Sequence, residues 1–90
     1  MGRRETRIFR LGDEIAALVD AERQLAEELE MLRHIDDDAR RDALVSESPL
    51  DRADARETAA DVARAERNLT DLRRRRERLE AKRDRLIGRL

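Results

Sequence analysis

Apolar residues recur along the second half of the chain at alternating steps of three and four positions. The row comprises Ala55, Thr58, Val62, Ala65, Leu69, Leu72, Arg76, Leu79, Arg83, Leu86 and Leu90. This heptad spacing is typical of a long helix that lies along another helix through a narrow line of contact, called the seam below.

A similar row occupies the first half of the chain. It comprises Ile8, Leu11, Ile15, Leu18, Glu22, Leu25, Leu29 and Leu32. Beyond it the apolar pattern slips, because Asp36 holds the next position, and the acidic run 36–38 favours a bend. We predict a first helix over 13–45. Gly12 would cost a helix about 1 kcal/mol relative to Ala, so the basic segment 1–12 is predicted to be frayed.

The predicted connection between the two helices is short, at 46–48. Ser48 suits the N-cap of a second helix, and Pro49 suits its first turn because proline has no backbone N–H to leave unpaired. Gly88 favours a helix end, so the second helix is predicted over 49–87.

Two long helices joined by a short turn lie antiparallel. Folding the chain back at Ser48 and Pro49 brings apolar seam residues opposite each other and sets Glu22 opposite Arg76. We therefore predict an all-α fold, a coiled-coil hairpin of two long antiparallel helices. Glu22 and Arg76 are predicted to form a partly buried ion pair that fixes its register.

A two-helix hairpin buries only a narrow stripe, and small scaffolds without cross-links usually need a partner. Further apolar residues broaden the faces of both helices: Val19, Ala21, Ala26, Met31, Ala59, Ala60 and Ala63. We expect two hairpins to pair into a homodimeric four-helix bundle, or another helical protein to cover these residues.

The composition limits the chemistry of the chain. There is no Cys, which excludes disulfides, zinc–thiolate sites and thiol nucleophiles. No phosphate loop, Ser/His/Asp set or Glu-x-x-His pattern occurs. His34 has Glu30 and Asp38 one turn away on either side, a spacing that binds metal only weakly when exposed, so a solvated His34 is favoured. We therefore expect no enzymatic activity, no metal and no cofactor. No apolar run approaches ~18 residues and no signal peptide is evident, so a cytoplasmic protein without membrane contact is expected. Twenty Arg against one Lys is typical of a GC-rich, actinobacterium-like source.

Charge is segregated along the sequence. The segments 1–12 and 72–90 carry net charges of +3 and +6, whereas 13–66 carries −10. A candidate basic contact stripe on the second helix consists of Arg74, Arg78, Lys82, Arg85 and Arg89. Such a stripe can contact phosphates, although the interpretation as a solvated face is favoured, and the near-absence of aromatic residues argues against base stacking.

Two stretches, 15–25 (IAALVDAERQL) and 71–78 (DLRRRRER), resemble a family of short, uncharacterised actinobacterial helical-hairpin proteins. The resemblance implies a helical hairpin and no particular activity. The outline also resembles transcript-cleavage factors that reach into RNA polymerase with acids at a hairpin tip. That resemblance implies such a role for Glu47, Asp51 and Asp54.

The function expected from the sequence is that of a non-enzymatic coiled-coil interaction or adaptor protein that presents helical faces to a protein partner or to itself. The alternative is a factor associated with nucleic acid or RNA polymerase, which would use the basic segments or the acidic tip. Nucleic-acid binding is the less favoured of the two interpretations.

Overall fold

The computed structural model describes residues 2–90. It contains two long α-helices that contact each other, α1 (Arg3–Val45) and α2 (Pro49–Ile87), an arrangement consistent with a helical hairpin. No strand occurs in the described part of the chain. The helices divide into two compact units: a terminal unit (residues up to 23 and from 70 onward) and a central unit (24–69).

Local capping chemistry determines where α2 begins. The Ser48 hydroxyl accepts a hydrogen bond from the Leu50 amide (3.2 Å), and the Ser48 carbonyl accepts one from the Arg52 amide (3.3 Å). Pro49 follows as the first helical residue, as its fixed φ favours. The end of α1 at Val45 and both bounds of α2 coincide with those predicted from the sequence.

The start of α1 differs from the prediction. The helix begins at Arg3, ten residues before the predicted start, so the prediction of a frayed segment 1–12 was wrong. Thr6 lies inside the first turn, where both its amide and its hydroxyl donate to the Gly2 carbonyl (3.1 Å each). Leu11 is buried, and burying one leucine contributes ~1.5–3 kcal/mol, which outweighs the cost of about 1 kcal/mol at Gly12.

In the terminal unit the core lies on one side of each helix. Leu11, Ile15 and Leu18 of α1 and Leu86 of α2 are buried. The guanidinium of Arg4 donates a hydrogen bond to the carbonyl of Arg89 (2.6 Å), which holds the first turn of α1 beside the chain that follows α2. Leu90 lies beyond α2 and is exposed, so it does not extend the seam.

In the central unit the two helical rows interdigitate. Leu29 of α1 packs in one cluster with both Ala65 and Leu69 of α2. The partly buried Leu25, Leu32 and Val62 pack against that cluster. Leu29 therefore contacts two α2 residues, rather than facing a single one.

The acidic run 36–38 does not interrupt α1. Asp36 lies in the seam and is only 6% exposed. Among residues 2–90 it is the one polar residue that is buried. Its carboxylate accepts a hydrogen bond from the Thr58 hydroxyl (2.8 Å) and forms an ion pair with the guanidinium of Arg40 (3.1 Å). The apolar pattern slips here because a carboxylate with two partners replaces an apolar side chain in the seam.

Neither helix offers, within residues 2–90, an apolar stretch of the length that crossing a membrane requires.

We expect Thr58→Val to lower the free energy of unfolding by about 1–3 kcal/mol, because it removes the hydroxyl donor from the buried Asp36 carboxylate while keeping the side-chain shape. Thr58→Ser keeps the hydroxyl and serves as the control, with a smaller loss. Urea denaturation followed by circular dichroism measures both variants. Equal losses in the two would contradict a stabilising Thr58–Asp36 hydrogen bond.

Candidate functional site

The polar residues of the predicted pair meet in the terminal unit. Nε of Arg76 donates a hydrogen bond to Oε2 of Glu22 at 2.6 Å. The Glu22 side chain is 12% exposed and that of Arg76 is 25% exposed, so the contact is largely withdrawn from water. A charge-assisted bond of this length is among the stronger hydrogen bonds that proteins make.

Two further residues surround this pair. Nη1 of Arg76 donates to Oε1 of Glu80 (2.8 Å), one turn further along α2. Arg73 places Nε 3.9 Å from the other oxygen of Glu22. Hydrogen bonds to Glu22 and then to Glu80 raise the pKa of the Arg76 guanidinium above its already high usual value, so Arg76 stays charged wherever the chain is folded.

This four-residue network joins α1 to α2 and uses its charges internally. A group of at least three His, Cys, Asp or Glu side chains that could hold a metal ion is absent from residues 2–90. The network has a structural role: it determines which residues of α1 lie beside which residues of α2 in this unit.

The acids predicted for a hairpin tip lie in the central unit. Glu47 is exposed in the connection, Asp54 is exposed on α2, and Asp51 is partly buried in the first turn of α2. Within residues 2–90, none of the three belongs to a group of side chains that could hold a metal ion.

The residues of the basic contact stripe are all exposed. Arg74, Arg78, Lys82 and Arg85 lie on α2, and Arg89 lies in the turn that follows it. A groove of about 640 Å³ brings Arg89 together with three arginines of the first turns of α1: Arg3, Arg4 and Arg7. The lining also includes Glu5, Leu86 and Leu90. The stripe on α2 thus has basic neighbours from α1 that the sequence interpretation did not include.

A second row on α1 was also missed. The residues are Glu5, Phe9, Gly12, Ala16, Val19 and Arg23, at steps of four and three. Phe9 is 61% exposed and Val19 is 50% exposed. The step pattern equals that of the buried seam and could have been found in the sequence. It was missed because Gly12 and Ala16 add little hydrophobicity to the row.

Comparison of the chain with protein-family models, with curated protein sequences and with solved structures found no match.

We expect Glu22→Ala to lower the melting temperature more than the double change Glu22→Leu with Arg76→Leu. The single change leaves the charged Arg76 in the seam without its shortest contact, whereas the double change fills both positions with apolar side chains. Thermal melts at one protein concentration measure both variants. Equally large losses would show that Glu22 and Arg76 are not coupled.

Proposed function

We propose that the chain is a non-enzymatic coiled-coil interaction protein that acts as a homodimer, in which the α1 helices of two copies pack against each other. The observation that carries the proposal is the second row on α1, called the pairing row below. It consists of Glu5, Phe9, Gly12, Ala16, Val19 and Arg23. A helix with two rows of heptad spacing is typical of helices that contact two neighbours.

Four of the six residues of the pairing row are exposed on the single chain, and Glu5 and Gly12 are partly buried. Phe9, Ala16 and Val19 are exposed, and a Cβ added at Gly12 would meet no atom within 4 Å. Large side chains thus flank a central pair of small residues. A second helix can approach closely at Gly12 and Ala16, since interaxial distance depends on the size of the contacting side chains.

The pairing row is also self-complementary in the antiparallel direction. A two-fold axis between Gly12 and Ala16 sets Gly12 against the second copy's alanine and Phe9 against its valine. The same operation sets Glu5 against the second copy's arginine at position 23. A two-fold interface requires this reciprocity, because one surface must complement itself. Charge and size match at every step, which favours a second copy over an unrelated partner.

The exposed area supports association. The chain exposes 6832 Å² of accessible surface, whereas a monomer of its mass, 10.5 kDa, is expected to expose about 5,400 Å². The difference is larger than the ~800 Å² that each partner buries in an interface of ordinary size. Two copies joined in this way would contain four helices, as the sequence led us to expect.

We expect Ala16→Glu to convert the dimer to a monomer, because it places two charges at the centre of the pairing row. Ala17→Glu is the matched control: the residue is also an exposed alanine, and it points about 100° away around the helix. Sedimentation velocity over a range of concentrations measures both variants. A wild-type chain that stays monomeric up to about 1 mM would refute the proposal. A dimer that survives Ala16→Glu would place the interface elsewhere.

The charged ends of the row provide a second test of the same interface. Glu5→Arg and Arg23→Glu should each weaken self-association about tenfold, since each turns two attractions into two repulsions. When these two single variants are mixed, both contacts between unlike copies become attractive. Native mass spectrometry should therefore detect mainly heterodimer. A statistical mixture of dimers would contradict the antiparallel pairing.

A further inference from the structure

Two rows of basic residues run along the terminal unit. On α1 they are Arg3, Arg7 and Arg10, at steps of four and three. On α2 the residues Arg78, Lys82 and Arg85 show the same steps, and Arg89 follows after four more positions. Residues at these steps share one face of a helix, so each set forms a continuous row.

The two rows lie on the same side of the terminal unit. Arg3 and Arg7 line the groove of about 640 Å³, and Arg89, in the turn after α2, lines the same groove. Arg10 lines a neighbouring surface depression with Arg3 and Arg7. Arg85 lies in the last turn of α2, four residues before Arg89, so the α2 row leads from the groove along the helix.

The basic side chains of these rows form no close ion pair within the described chain, and Glu14 is the acid that stands one turn after Arg10 on the α1 row. None of the seven side chains has a carboxylate within 4.0 Å among residues 2–90, in contrast to Arg40, Arg41 and Arg64 of the central unit, each paired with an aspartate. The acids on the same stretch of α2 follow a separate row of their own: Glu77, Glu80 and Asp84. Glu5 is the acid that lines the groove, against four arginines.

We propose that this side of the terminal unit, called the basic face below, binds the phosphate backbone of double-stranded nucleic acid without reading its sequence. Guanidinium groups match phosphate oxygens in geometry and charge. The two rows are carried by helices of the same compact unit, so their charges can contact one polyanion together.

A duplex fits the basic face better than a single strand or a lipid surface. Single-strand binders stack bases on aromatic side chains, and the one aromatic residue, Phe9, belongs to the pairing row rather than to either basic row. A helix that binds lipid presents apolar side chains beside its charges. Here Leu86 of the groove is buried, and Leu90 is a single exposed apolar side chain beside the four arginines of the groove.

The basic face does not depend on the proposed dimer. The two surfaces follow different helical rows of α1, and Glu5 is the one residue that belongs both to the pairing row and to the lining of the groove. Loss of the dimer through Ala16→Glu would leave the basic face unchanged.

The test is a titration of a fluorescently labelled duplex of about 20 base pairs between about 50 and 200 mM salt. The triple variant Arg10→Ala, Lys82→Ala, Arg85→Ala should bind at least tenfold more weakly at the lower salt concentration. It should also reduce the slope of log affinity against log salt by about 2–3, since each lost phosphate contact removes ~0.9. Circular dichroism checks that the variant keeps its helices.

The matched control is the triple variant Arg52→Ala, Arg56→Ala, Arg67→Ala, which removes the same charge from exposed positions of the central unit. It should leave the affinity and the salt slope unchanged. The proposal is overturned if the wild-type chain shows no salt-sensitive binding, or if both triple variants lose affinity equally. It is also overturned by tighter binding to a single strand of the same length or to anionic lipid vesicles.

Discussion

The structure depends on one constraint: each long helix has a single buried row, and any polar group in that row must find its partner on the other helix or along its own. Two carboxylates occupy the α1 row, Glu22 in the terminal unit and Asp36 in the central unit. Each is reached by a donor from α2, Arg76 in the first case and Thr58 in the second. An apolar seam can slide by one heptad at little cost, whereas a buried carboxylate without its donor is destabilising. These contacts therefore select the register within each unit.

Local chemistry explains which parts of the fold could be predicted from the sequence. The end of α1 and the start of α2 follow from the Ser48 cap and Pro49, whose effects need no tertiary contact. The start of α1 could not be found in this way, because Gly12 argues locally against a helix while the burial of Leu11 favours one. Because the burial of Leu11 depends on contact with the other helix, the residues next to it in the sequence do not indicate it.

The same distinction applies to the candidate site. Glu22 and Arg76 could be singled out because each interrupts an apolar row at a matching position. Asp36 and Thr58 both stand in the rows found from the sequence, but their hydrogen bond was missed because the acidic run 36–38 was interpreted as a bend. Glu80 and Arg73 lie outside the apolar rows, and they join the network because their long side chains extend to Arg76 and Glu22, respectively. The pairing row and the basic face require a second reading of α1 along rows that are not buried.

The near-neutral charge of the chain conceals two very different units. The terminal unit contains fourteen Arg and Lys against nine Asp and Glu, whereas the central unit contains seven against thirteen. In the terminal unit the acids contribute where a specific contact needs them: Glu22 and Glu80 hold Arg76. In the central unit several arginines are instead satisfied by aspartates three or four residues away. Within residues 2–90, the same pair of helices thus leaves basic side chains unpaired on one unit and pairs them with aspartates on the other. The net charge of the whole chain would not reveal the basic surface that we propose for a polyanion.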